Sequence, residues 1–277
     1  MMNAHVSMLE KEWLEHKIIT RAPLGLLVCG VLLLLAVLMN STIQSNVTYE
    51  LTYDVDGMGS GFELGQQLSQ MVFGFTGLLS IMLTTFYFPK TLRKERQEGS
   101  VMFWRSMPVS DLTTHSIKLV FGLLVTPVIC SILVISADLL MWLVNVMMAQ
   151  KFPLFFTGES ILYVLTHWVE FIGRMWLVGV VLAPVAMLAM AISQKVHSPL
   201  LVMLIGFYVI KLFSDSLLGT SVVGDFLIEV TMLPLDVLLA DNPFIAMSNI
   251  GLISLVVYFL LGAIGLLASL RLSRVVD

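Results

Sequence analysis

The chain has 277 residues, of which 58% are hydrophobic and only 12% charged, with a mean hydropathy of +0.94. A soluble domain is nearer 45–50% apolar and about a quarter charged, so the composition excludes that class. Recurrent apolar runs of about 20 residues point instead to a polytopic membrane protein, an all-α single transmembrane domain over residues 1–277. The net charge of −4 says little about partners, because the charges are sorted by side. Cys29 and Cys130 both lie inside apolar runs and read as small packing residues, not a disulfide framework.

Residues 1–21 are polar and charged, and no small-residue cleavage site follows them, so the expectation is a retained cytoplasmic or interfacial segment. Leu9, Trp13 and His16 share one helical face, with Leu14 and Ile18 on another, which leaves an interfacial helix and a solvated lead-in both open. The first span is expected over 22–39. Residues 40–67 form a polar loop holding Glu50, Asp54, Asp56 and Glu63 but no Lys or Arg, with turns at Gly57, Gly59 and Gly61. The second span, 68–88, ends at Pro89.

Residues 89–118 form the long basic stretch of the chain. Gly99 breaks its charged run, and Ser100 can cap a short helix over Val101–Met107. Pro108 stops that helix because it has no N–H to donate. Ser110 and Asp111 then offer a second cap with an acid at the positive helix end. Seven residues cannot cross a membrane, so Val101, Met102, Phe103 and Trp104 must meet the lipid surface or another protein.

The third span, 119–148, would be about 45 Å of helix against a core of about 30 Å, so it projects or tilts. The fourth is 163–193, with Pro184 as a tolerated kink. A turn with Lys195 leads to Ser198 and Pro199, an N-cap and first helical residue, and to the fifth span, 199–218. Residues 219–243 are half apolar but carry Asp225, Glu229, Pro234, Asp236 and Asp241, which fits short helices in the outer interface. The sixth span is 244–270. Twelve of the fifteen basic residues then fall on one side, and the positive-inside rule makes both termini cytoplasmic.

Ionisable groups at membrane depth are expensive and face partners, water or substrate. On the third span Ser131, Asp138 and Asn145 recur every seven residues. His167, Glu170 and Arg174 share a face of the fourth, and Lys211 and Asp215 lie one turn apart near the end of the fifth. These residues form the candidate intramembrane polar cluster, fixing helix pairs or lining a vestibule. Counting from Lys118 and Lys195 puts Asp138 and Arg174 at matching depth, about 30 Å in. The expectation is an ion pair between them, with Glu170 sharing the guanidinium and Lys211 competing for Asp138. No phosphate-cradling G-x-x-x-x-G-K-[ST] occurs, so ATP hydrolysis by this chain is not expected. No catalytic or metal constellation stands out either.

The run Glu95-Arg96-Gln97-Glu98-Gly99-Ser100, an apolar turn, then Met107-Pro108-Val109-Ser110-Asp111 and Lys118 resembles the first cytoplasmic loop of type-2 ATP-binding-cassette permeases. Its place between the second and third spans matches as well. The resemblance implies a permease subunit of an ATP-driven exporter in the bacterial inner membrane, paired with an identical or homologous permease. A separate ATPase subunit would hold ATP and Mg2+. No nucleic acid is expected as a partner. The coupling residues implied are Glu95, Glu98, Gly99, Ser100, Val101, Met102, Phe103, Trp104, Arg105 and Met107. A reading from another class is a membrane binding or immunity protein that sequesters a membrane-active ligand without pumping.

Overall fold

The computed structural model describes residues 2–40, 64–97, 110–148, 161–196, 198–214, 216, 219 and 221–274. Among them every regular element is helical: α1 (Met2–Glu15), α2 (Lys17–Met39), α3 (Leu64–Gln97), α4 (Asp111–Val120), a π-helical turn (Phe121–Val125), α5 (Thr126–Met148), α6 (Ile161–Ser193), α7 (Pro199–Phe213), α8 (Val222–Leu239), α9 (Pro243–Asn249) and α10 (Leu252–Arg274). Among the described residues five stretches are long and apolar enough to cross a membrane: Lys17–Ala36, Gln67–Lys94, Asp111–Leu143, Ile161–Ser193 and Leu252–Ser273. The chain is therefore a multi-pass membrane protein with large apolar side chains turned outward, among them Leu32, Leu33, Leu204, Leu260 and Leu267. Lipid solvates such side chains as well as another helix would.

Several expected boundaries move. The second span does not stop at Pro89: α3 runs on to Gln97, because a proline removes only its own N–H and membrane helices accommodate that loss. Residues 89–97 and 111–118, expected in the cytoplasmic loop, are helical, which leaves 98–109 between two helices. Of the fifth span expected over 199–218, Pro199–Phe213 form α7. The sixth is divided at Gly251, whose φ of 82° suits a residue without Cβ; α9 lies before it and α10 after. Residues 219–243 hold one long helix, α8, of 18 residues.

Local capping explains several helix starts. The Ser110 hydroxyl accepts from the Thr113 N–H at 3.2 Å, and Asp111 sits in the first turn of α4, as expected. Asn242 Oδ1 accepts from the Phe244 N–H at 3.0 Å and starts α9, with Pro243 as first residue. Ser198 precedes Pro199 but makes no side-chain cap, which corrects the N-cap expected there.

The chain divides into two compact units. One comprises Met1–His16, Gly77–Val128 and Ile172–Asp277; the other comprises Lys17–Thr76 and Ile129–Phe171. In the first, small residues let helices approach closely, the usual device where lipid supplies no hydrophobic drive. Gly262 faces the backbone of Pro184, and Gly265 faces Leu188. The Tyr258 hydroxyl donates to the Val181 carbonyl at 2.8 Å, holding α10 on α6. The α4 start is tied to the same helices by His115. Its Nε2 meets Ser269 Oγ at 2.9 Å, and the Gln194 amide donates to the Ser269 carbonyl at 2.9 Å.

Candidate functional sites

In the first unit, polar residues converge where α1 meets the end of α3 and the last turn of α4. Glu12 is 3% exposed and Lys118 1%. The Lys118 ammonium donates to Glu12 Oε1 at 2.5 Å and to Thr91 Oγ1 at 2.8 Å. The Tyr87 hydroxyl donates to Glu12 Oε2 at 2.6 Å, and the Thr91 hydroxyl approaches the same oxygen at 3.3 Å. His16 lies edge-on to the Tyr87 ring, centroids 4.7 Å apart, with Nε2 3.5 Å from Glu12 Oε2. Nearby, Lys94 donates to the Glu15 carbonyl at 3.3 Å.

Burial alone would raise the Glu12 carboxyl pKa. The Lys118 ammonium, its hydrogen bond and the Tyr87 hydroxyl together outweigh that and hold it below the usual carboxylate range. Because Lys118 reaches both Thr91 and Glu12, the helices on either side of residues 98–109 are joined to each other and to α1.

On α1 Glu12 is buried and His16 lies against Tyr87, while Trp13 is 46% exposed. Lys118, the residue from which depth was counted, is the centre of this buried cluster.

In the second unit Ser131 and Asp138 of α5 find partners on α3 and α6. Asp138 is fully buried. It accepts from Ser69 Oγ through Oδ1 at 2.6 Å and pairs through Oδ2 with His167 Nδ1 at 2.6 Å. The Tyr163 ring stacks on His167 at 5.4 Å and 14°, and its hydroxyl lies 3.4 Å from Ser69 Oγ. Phe73 covers His167 from another side, centroids 5.1 Å apart. Further along, Trp168 Nε1 donates to Ser131 Oγ at 3.0 Å. Asp, His and Ser are the types of a nucleophilic triad, but a triad sets the serine on Nε2. Here Ser69 donates to the carboxylate and lies 3.2 Å from the same Nδ1, so nothing activates it. The arrangement is a closed hydrogen-bonded knot that fixes three helices.

Arg174 meets backbone carbonyls. In the first unit its guanidinium caps the end of α8, donating to the carbonyls of Leu238 at 3.2 Å, Ala240 at 2.6 Å and Asp241 at 3.3 Å. A cation at a helix C-terminus meets the negative end of the helix dipole and its orphan carbonyls. Arg174 belongs to the first unit and Asp138 to the second, and each is described with the partners of its own unit. Glu170 is exposed on α6, and Lys211 is half-buried in the last turn of α7. Asn145 lies on α5. Glu95 is on α3. Asp215 lies outside the described residues, as do Glu98, Gly99, Ser100, Val101, Met102, Phe103, Trp104, Arg105 and Met107.

Sequence reasoning singled out Asp138 and His167, which the fold joins, but missed Glu12, Thr91, Tyr87, Ser69 and Tyr163. Glu12 lies in the charged run Glu10-Lys11-Glu12, where nothing sets one carboxylate apart, and the hydroxyls carried no signal either, being common in membrane helices. Among the described residues no group of three or more His, Cys, Asp or Glu is placed to hold a metal ion. Comparison with protein-family models, with characterised proteins and with solved structures yields no match.

Proposed function

We propose that this chain is the membrane-embedded permease subunit of an ATP-driven exporter, driven by a separate ATPase that docks on residues 95–107. The observation that carries this reading is the way the docking segment is framed. Residues 98–109 leave α3 and return into α4, and Lys118 bonds across to Thr91 and to Glu12, so a push on the segment is delivered to three helices at once. The resemblance of residues 95–118 to the coupling loop of type-2 ATP-binding-cassette permeases supports it. The five long apolar helices are compatible with it, and the shorter apolar helix α7 belongs to the sixth crossing. Both termini are then cytoplasmic, as the distribution of Lys and Arg favours. Two permeases, identical or homologous, would stand on two ATPases in a bacterial inner membrane.

Topology has its own test. Single cysteines at Ser60 and Ser110, in a Cys29→Ala, Cys130→Ala background, are expected to react with impermeant thiol reagents from opposite sides of the membrane. Labelling of both from outside overturns the six-span arrangement.

The coupling role is tested by recovery of the ATPase. The affinity-tagged chain is expected to bring down a stand-alone ATPase whose hydrolysis vanadate inhibits. The Phe103→Ala, Trp104→Ala double variant should insert normally but lower the recovered ATPase about 30-fold, since large aromatic anchors contribute about 2 kcal/mol or more at an interface. Unchanged recovery removes the coupling role, and a chain that binds a membrane-active ligand without any ATPase fits the sequestering reading instead.

A further inference from the structure

Between α4 and α5 the helix does not continue as α. Phe121–Val125 form a π turn, in which the Thr126 N–H reaches back to the Phe121 carbonyl. A π turn holds one residue more than the α-helix would, and such turns are rare and concentrated where function needs them. This one has an evident local cause. Pro127 is buried and has no N–H, so the Leu123 carbonyl four residues earlier cannot receive its α-helical bond, and the proline ring would crowd it.

The surroundings are shaped to receive each displaced carbonyl. The Phe121 oxygen accepts a second bond from the Thr126 hydroxyl at 3.1 Å. The Gly122 oxygen accepts from the Thr84 hydroxyl of α3 at 3.0 Å, and both groups are buried. The Leu123 oxygen lies against Gly179 of α6, where a Cβ would stand 2.7 Å from it. Gly122 itself is covered by the rings of Tyr87 and Phe88. Three neighbours on three elements therefore hold the turn open.

We propose that this π turn is a register lock: the extra residue it stores sets the rotation at which Lys118 meets Glu12. Absorbing that residue into a regular helix would turn residues 111–120 by about 100° and shift them about 1.5 Å relative to the helix that continues from Thr126. Lys118 would leave Glu12 and Thr91, and His115 would leave Ser269. The inference concerns the protein's own geometry and does not depend on the transport reading.

Thermal unfolding of the full chain in lipid nanodiscs tests it. In the wild-type background Glu12→Gln and Lys118→Met are each expected to lower Tm more than the pair together does. Pro127→Ala restores the missing N–H and lets the turn close, so there the single-substitution penalty should vanish. Deleting Leu124 in the Pro127→Ala background removes the stored residue, closes the helix with both flanks in register, and should bring the penalty back. Thr84→Val, which takes the donor from the Gly122 carbonyl, carries the same comparison if Pro127→Ala fails to insert. Loss followed by restoration in either background supports the lock. A penalty retained in both backgrounds, a penalty absent from the wild type, or loss without restoration overturns it.

Discussion

Replacing Lys118 with methionine is expected to destabilise the inserted protein by about 3–5 kcal/mol, because it leaves the Glu12 carboxylate buried without its cation. Removing Glu12 as well, as Glu12→Gln with Lys118→Met, should cost distinctly less than Lys118→Met alone, since no charge is then stranded. The Tm of each variant in nanodiscs decides between these outcomes, and a Lys118→Met protein that melts like the wild type removes the cluster's structural role.

Acid makes the same point by another route. The Glu12 pKa in the fold lies below its ordinary value of 4.5, so the unfolded chain takes up the proton first. The contribution of Glu12 to stability is therefore fully present above about pH 4.5 and is lost as pH falls through the lower folded value. Detachment of α1, read by amide exchange over residues 2–15, should follow that descent. Glu12→Gln should flatten it.

The second large effect belongs to Asp138. Asp138→Ala leaves the Ser69 hydroxyl and the His167 Nδ1 without their acceptor in a fully buried place, at about 1–3 kcal/mol for each group. Asp138→Asn should cost much less, because the amide oxygen still accepts from Ser69 and its NH2 can donate to His167 once the imidazole proton moves to Nε2. The order alanine worse than asparagine, read as Tm, is the signature of a knot held by hydrogen bonds. An alanine variant as stable as the wild type would show that the three helices hold without it.

The two clusters show how far residue type alone can go. Asp138 and His167 stood out because polar ionisable residues at membrane depth require partners, and that much is a property of the residue and its depth. Which partner each takes depends on how the helices are rotated. Within the first unit Arg174 turns to the carbonyls that end α8, and within the second His167 takes the Asp138 carboxylate. Lys118 served only to mark depth for the same reason: its partner Glu12 comes from a helix about a hundred residues away.

The sequence by itself determined what is additive along the chain. Membrane residence and the course of α2 and α6 follow from apolar runs, since transfer into lipid is summed residue by residue. The start of α4 follows from Ser110 and Asp111, because a cap acts within one turn. Only the tertiary structure decided what depends on contact between helices. It buried Glu12 and turned Trp13 outward, joined Ser69 to Asp138, carried α3 through Pro89, and let Thr84, Gly179 and Pro127 open a π turn above Lys118. Each of these is a choice among rotations of near-equal cost to the single helix, and the balance is set by which neighbour offers a buried polar atom its hydrogen bond.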